Sequence, residues 1–283
     1  MSNIVNYHQG PLIPDIASHV FSFLDTQAKQ NVACVRRLWR DVVYLPIHWN
    51  NVTIIELPPT CSELLIQSMV KRCITRISCP RSSSEDIFVV FALLPDISYL
   101  NVGGCPRVTE LQLKREFCRI SDTFLEACAP KLKNLKSLVL EDCENITEFG
   151  LRTFLKHVRQ LEGLDLTWCE NMRDVCLQDI AQNCPELKSL VLRGCDWLSA
   201  DAMHHLINHL PKLVRLNFRC SHGLTDAGLK ILAEGLPNVK YLDVKECPLV
   251  TSKGINYIAE NLHELIHLAF GGSDNLNLQF SSN

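Results

Sequence analysis

Six phrases decide the fold: LKSLVLEDC (135–143), LEGLDLTWC (161–169), LKSLVLRGC (187–195), LVRLNFRCS (213–221), VKYLDVKEC (239–247) and LIHLAFGGS (265–273). Each begins 26 residues after the one before. Their anchors are Leu138, Leu164, Leu190, Leu216, Leu242 and Leu268. Two residues on stand Leu140, Leu166, Leu192, Phe218, Val244 and Phe270. The phrases close on Cys143, Cys169, Cys195, Ser221, Cys247 and Ser273. A fixed period of this length marks a repeat architecture.

Within one phrase the apolar residues fall at period two, the mark of a short half-buried strand. The small Cys or Ser then occupies a tight inward turn, where a free thiol acts as a compact hydrophobe and weak donor. TEFGL (147–151), TDAGL (225–229) and TSKGI (251–255) follow. Thr followed by an acid suits a helix N-terminus, because such side chains accept from orphan N–H groups. Leu229, Leu232, Ala233 and Leu236 then repeat at helical spacing. A single unit cannot bury its own apolar face, and stacked units can. The expectation is an α/β chain forming a curved solenoid, parallel strands inside and helices outside.

This pattern resembles the cysteine-containing class of leucine-rich repeats over 97–276. Upstream the phase is looser. Ile97, Leu100, Val102 and Cys105 open a repeat, yet Leu138 lies 38 residues beyond Leu100. An irregular segment, 106–120, holds the excess, and 108–118 reads as an inserted hairpin or a compressed repeat. Residues 51–96 read as divergent first repeats, with strands near Val52–Ile55 and Ile74–Ile77 and a loop over Pro80–Glu85 that opens the next helix.

Residues 9–50 do not follow the period. Pro14 suits a first helical turn, and Ile16, Val20, Phe21 and Leu24 share a face. Asp25 or Thr26 caps a second helix with Ala28, Val32 and Val35, and a third carries Leu38, Trp39, Val42 and Val43. LIPDIASHVFSFLDTQAKQNVACVRRLWRDV with its trailing Trp49 resembles an F-box, with Arg36 where that family often has Cys. With the LNVGGC phrase (100–105), the chain resembles F-box/leucine-rich-repeat proteins of the partner-of-paired type. The resemblance implies that Leu12, Pro14, Ile16, Val20, Phe21, Leu24, Val35 and Trp39 dock on the adaptor Skp1. Through it they would reach the cullin and RING subunits of an SCF-type ubiquitin ligase, the chain being a monomer within that hetero-complex. A plain helical cap over the first repeat is the alternative for this module, and a non-catalytic interaction or inhibitor protein outside a ligase is the alternative for the chain. Residues 1–8 and 277–283 read as tails. No amphipathic helix fits after Leu276, so a shortened member of a longer family is expected, with its last unit the least stable.

At 47% hydrophobic and 21% charged the chain is of ordinary globular composition. A net charge of -3 without a dense Lys/Arg run gives no reason to expect nucleic acid. No apolar run reaches the ~18 residues of a membrane span. The N-terminus lacks the regions of a signal peptide, so a cytoplasmic or nuclear site with reduced thiols is expected. Fourteen cysteines without a CxxC fall into the repeat rather than a zinc or redox spacing. His205 and His209 stand at i,i+4 on a predicted outer helix without an HExxH pattern, and no phosphate loop or nucleophile elbow occurs. No catalytic residue, metal or cofactor is therefore expected.

In such a solenoid the residues beside the anchors display the inner face. An acidic stripe over 141–165 meets a basic one over 193–219, with Trp168 between. Glu141, Asp165, Trp168, Arg193, Arg215, Arg219, Tyr241, Asp243 and Lys245 are the candidates for binding a protein target, Trp, Tyr and Arg being the types that dominate binding hot spots. Thr167 is read as displayed beside them.

Overall fold

The structure, a computed structural model, describes residues 18, 22–25, 28–29, 45, 48–49, 53–55, 63–79, 94, 96–103 and 120–272. Along the chain run β1 (Thr53–Ile55), α1 (Glu63–Lys71), β2 (Arg76–Ser78), β3 (Tyr99–Asn101), α2 (Asp122–Cys128), a 3-10 turn (Ala129–Lys131), β4 (Ser137–Val139) and α3 (Glu148–Leu155). They continue with β5 (Gly163–Asp165), α4 (Val175–Asn183), β6 (Ser189–Val191), α5 (Ala200–His209), β7 (Arg215–Asn217), α6 (Asp226–Gly235), β8 (Tyr241–Asp243), α7 (Ser252–Asn261) and β9 (His267–Ala269).

The nine strands form one parallel sheet in strict sequence order. Leu138, Leu164, Leu190, Leu216, Leu242 and Leu268 stand opposite one another in register. The first five of these anchors are buried and the residues on either side of them less so, whereas in β9 Leu268 is half-buried and Ala269 buried. Strands stack about 4.8 Å apart and packed helices 8–10 Å apart. That mismatch bends the stack, with the sheet on the concave side. This is the leucine-rich-repeat architecture.

β3 pairs directly with β4 despite the long spacing between them. The extra residues therefore fall in the β3–α2 connection and do not disturb the sheet. Residues 104–119, with the hairpin-or-compressed-repeat expectation, lie outside those described, as do 80–93 and 273–283, with Ser273, Leu276 and the shortened C-terminus.

Two hydrogen-bond ladders join the coils. In the first, the Sγ of Cys169, Cys195 and Cys247 donates to the carbonyl oxygen of Leu140, Leu166 and Phe218 at 3.1, 3.4 and 3.1 Å. Ser221 does the same to Leu192 at 2.8 Å. Each donor thus reaches back one coil, and the serine is a functional isostere of the thiol. Burial pushes the Cys169 and Cys184 thiols up to about 12. A protonated, buried thiol is the opposite of a nucleophile.

The second ladder fastens the helix starts. Thr147, Ser199, Thr225 and Thr251 cap their own helices by accepting from Phe149, Ala202, Gly228 and Lys253. In alternate coils an aspartate at the start of the helix reaches forward one coil. Asp226 accepts from Thr251 N at 2.8 Å, Thr251 Oγ1 at 2.6 Å and Gly254 N at 3.0 Å. Asp122 holds Thr147 through the same two groups at 2.8 and 2.6 Å, and Asp174 holds Ser199 N at 3.0 Å. These three aspartates fall in every second coil.

In the N-terminal module Asp25 Oδ1 accepts from Ala28 N at 2.7 Å, the contact of a capping residue, and Thr26 lies outside the described residues. Lys29 Nζ donates to the carbonyl oxygen of His48 at 2.8 Å. Trp49 is buried in the same core as Ile77 and Leu100, with Arg72 4.7 Å over its ring. Leu24 is half-buried, and Phe23 is exposed by 77%. Leu12, Pro14, Ile16, Val20, Phe21, Val35 and Trp39 lie outside the described residues.

Candidate protein-binding face

Outward strand positions build the concave surface. One row runs Arg76, Tyr99, Ser137, Gly163, Ser189, Arg215, Tyr241, His267 across β2–β9, and the next runs Ser78, Asn101, Val139, Asp165, Val191, Asn217, Asp243, Ala269. Small residues occupy the middle of the first row, and an Arg–Tyr pair stands at either side. The Arg76 guanidinium lies 4.3 Å from the Tyr99 ring centre and that of Arg215 lies 4.9 Å from Tyr241. Tyr241 in turn neighbours the His267 ring at 6.4 Å.

The second row serves the fold as well as the surface. Asn101, Asp165, Asn217 and Asp243 each accept, through Oδ1, from the backbone N–H two residues on, at 3.0, 2.9, 2.9 and 3.0 Å. These Asx turns close the exit from each strand. Asp165 also accepts from Thr167 Oγ1 at 2.6 Å. Thr167 is buried; it is not displayed, because its hydroxyl turns back onto Asp165. Asp165 and Asp243 are half-buried and have part of their accepting capacity engaged in these turns.

Beyond the turns comes a row of left-handed residues: Asp142, Trp168, Gly194, Cys220, Glu246 and Gly272, with φ of 58, 67 and 59° at the first, third and fourth. The N–H groups of the first five donate one coil onward, to the carbonyls of Thr167, Arg193, Arg219, Lys245 and Gly271 at 2.8–2.9 Å. Such a φ costs a non-glycine residue about 1–2 kcal/mol, and the ladder bonds offset it. Asp142, Gly194 and Gly272 are types that adopt this conformation readily, but Trp168, Cys220 and Glu246 are not turn formers, and the bonds that impose the conformation on them come from the next coil.

Gly194 determines where Trp168 lies. A Cβ at Gly194 would stand 2.1 Å from Cε3 of the Trp168 ring. The ring therefore lies across the glycine backbone, and the Arg193 guanidinium stands 5.9 Å from the ring centre. Arg219 pairs with Glu246 Oε1, and Cys220 Sγ donates to Glu246 Oε2 at 3.0 Å. The Cys220 thiol and the Arg219 guanidinium hold the Glu246 carboxyl below the ordinary glutamate value. The Nε groups of both Arg193 and Arg219 are buried without an acceptor among the described residues.

The structure thus gathers Trp168, Arg193 and Arg219 with Cys220 and Glu246 into one cluster, and Cys220 and Glu246 join it through geometry that no spacing reveals. Arg215, Tyr241 and Asp243 lie beside it, with Lys245 exposed at its far side and Glu141 exposed beyond Asp165. His205 and His209 lie on α5, where His209 Nδ1 meets the His205 carbonyl oxygen at 3.4 Å. No group of three or more His, Cys, Asp or Glu suited to a metal occurs among the described residues, and no described helix is long and apolar enough to cross a membrane.

No protein-family model and no curated protein matches the chain. Solved structures do. In the crystal structure of the yeast Rad7 and Elc1 complex the likeness covers 95% of this chain and 90% of that one, at 14% identity and a TM-score of 0.41. In mouse RP105/MD-1 it covers 78% and 38%, at 17% identity and 0.47. In LegL7, a leucine-rich repeat-containing protein from Legionella pneumophila, it covers 81% and 87%, at 11% identity and 0.47.

Proposed function

We propose that the chain is the substrate-recognition adaptor of an SCF-type ubiquitin ligase, its F-box held by Skp1 and its concave sheet face holding the protein to be ubiquitinated. The observation that carries this reading is a juxtaposition. An F-box motif, LIPDIASHVFSFL, runs directly into a repeat whose inner face is set with Arg–Tyr pairs and an Arg–Trp contact. Exposed Phe23 and Leu45 in the same module fit an apolar docking partner. The adaptor performs no chemistry of its own. It fixes a target beside a ubiquitin-charged enzyme and raises the effective concentration of the reacting groups, in the cytoplasm or the nucleus.

The test is co-purification. Burying the Pro14, Ile16, Phe21 and Leu24 face stabilises a Skp1 complex at about 25 cal/mol per Å² of apolar surface. Pro14→Ala with Ile16→Ala therefore abolishes Skp1 capture and leaves the repeat spectrum unchanged. Capture of Skp1 by the double variant at the wild-type level would falsify the F-box assignment. The burial of Trp49 in the repeat core favours a second reading. In it the module is a cap and the chain a non-catalytic interaction or inhibitor protein, and wild-type chain then captures no Skp1 at all.

A further inference from the structure

The cluster around Trp168 is short of negative charge. Arg193, Arg215, Arg219 and Lys245 bring four cations to three adjacent coils, against the carboxylates of Asp243 and Glu246. Asp243 is tied to the Lys245 N–H and Glu246 to Arg219 and Cys220. Arg193 and Arg219, in consecutive coils, each keep a buried Nε–H with no acceptor among the described residues. A guanidinium offers a planar fork matched to a carboxylate, and Glu246 engages only one arm of Arg219, through Nη2 and Oε1. Trp168, fixed across Gly194, gives the site an apolar wall. On the other side of that wall the charge reverses, with Glu141, Asp142 and Asp165 in the two preceding coils and no cation among them in the displayed rows.

We propose that this part of the face takes a two-signed extended segment of a partner protein lying across the coils. A glutamate or aspartate side chain of the segment is seated between Arg193 and Arg219, an apolar residue lies on Trp168, and a lysine or arginine meets Glu141, Asp142 and Asp165. The coils are about 4.8 Å apart and an extended chain advances about 3.3 Å per residue, so the two charges stand about three or four residues apart. The inference rests on the reading of the concave face as the target face and supplies the chemistry of the target's motif.

The experiment uses full-length chain and fluorescein-labelled ten-residue peptides, followed by anisotropy. The probe has one lysine and one glutamate separated by three residues, with leucine at the centre. Its companions carry glutamine for glutamate, glutamine for lysine, glutamine for both, or phosphoserine for glutamate. The two-signed peptide is expected to bind at least about ten-fold more tightly than any glutamine version, since one desolvated charge pair is worth that much or more. Arg193→Gln and, separately, Arg219→Gln remove the advantage of the glutamate while leaving that of the lysine. Because each variant is judged by the ratio between two peptides, a general loss of affinity does not imitate the result. Equal binding of charged and neutral peptides overturns the proposal, and so does binding of the phosphoserine peptide alone, which would make the cluster a phosphate seat. Skp1 capture by the same preparation separates the two claims. Capture without charge-dependent peptide binding leaves the adaptor reading and removes this one, and the converse leaves this one and removes the ligase.

Discussion

Gly228 and Gly254 hold the same place in consecutive coils, yet alanine should act on them with opposite sign. In a helix, alanine is favoured over glycine by up to about 1 kcal/mol. At Gly228 a Cβ would meet nothing closer than Met203 Cγ at 3.5 Å, with the Ala200 Cα at 3.6 Å. Gly228→Ala should therefore stabilise by about 0.5–1 kcal/mol. At Gly254 the preceding coil brings Asp226, whose Oδ1 would lie 2.3 Å from the new Cβ. The carboxylate must withdraw, and it holds Thr251 through two bonds and Gly254 through one. Hydrogen bonds to a charged group are worth about 1.5–3 kcal/mol each. Losing one or two outweighs the helix gain and leaves a net loss of about 1–3 kcal/mol. A change of 1 kcal/mol moves the midpoint of a repeat of this size by about 2–4 °C. Thermal melts followed by circular dichroism should therefore rise for Gly228→Ala and fall for Gly254→Ala. In an Asp226→Ala background Gly254→Ala should cost little, since the group it collides with is gone. Equal shifts at the two glycines, or an undiminished loss in that background, would refute the forward-reaching aspartate as the tie between coils.

The buried thiols predict a pH response. A buried thiol whose folded pKa is near 12 keeps its proton where the unfolded chain, at about 8.5–9, has lost it. Its contribution is intact below that unfolded value and is lost as pH rises towards 12, so urea midpoints should fall from about pH 9 upward. Native chain treated with a maleimide should be labelled at exposed Cys73 and spared at Cys169, Cys184 and Cys195; peptide mass spectrometry reads both. Ser221→Cys should stay within about 0.5 kcal/mol of wild type, the thiol being the usual donor at this position, whereas Ser221→Val should cost about 0.5–1.5 kcal/mol by leaving the Leu192 carbonyl only its longer bond from the Cys195 N–H. Arg152 Nε donates to both carboxylate oxygens of nearly buried Asp179. Arg152→Ala should lower the melting midpoint by leaving the Asp179 carboxylate without its cation, and adding Asp179→Ala should relieve part of that loss in a double-mutant cycle.

What the sequence discloses here is what a period can carry. Leu138 to Leu268 mark the strand centres because burial alternates along a strand, and Thr147, Thr225 and Thr251 mark helix starts because capping is local chemistry. The cysteine positions could be assigned to packing for the same reason. The ties between coils are not local. Thr147 and Asp122 stand 25 residues apart, and only the stacked structure shows that they touch. The alternation of Asp122, Asp174 and Asp226 every 52 residues was the available signal, and it needs a register of two coils to be seen. Period two places Thr167 outward, whereas the turn after the strand folds its hydroxyl onto Asp165. The inner face as a surface is legible, but the division of labour within it is not.

That division bears on how the face can vary. The middle residue of each strand and the Cys or Ser after the left-handed position answer to the coil next to them, and the Asx-turn residue closes the turn of its own coil. Substitution there changes the stacking and, with it, everything displayed. The side chains of Tyr99, Arg215 and Tyr241 answer to no such tie, their contacts being rings and guanidiniums on the surface itself, and those of Glu141 and Lys245 are exposed. Arg193 and Arg219 lie between these classes, fixed by Trp168 and Glu246 but with buried donors unanswered. A face built this way can change partners by altering its first row while the aspartates, thiols and carbonyls that bind coil to coil stay as they are. For the same reason Arg215 and Lys245 are cleaner probes of target binding than Trp168. The Trp168 ring is also the cover of Gly194, so its removal would confound a lost contact with a relaxed turn.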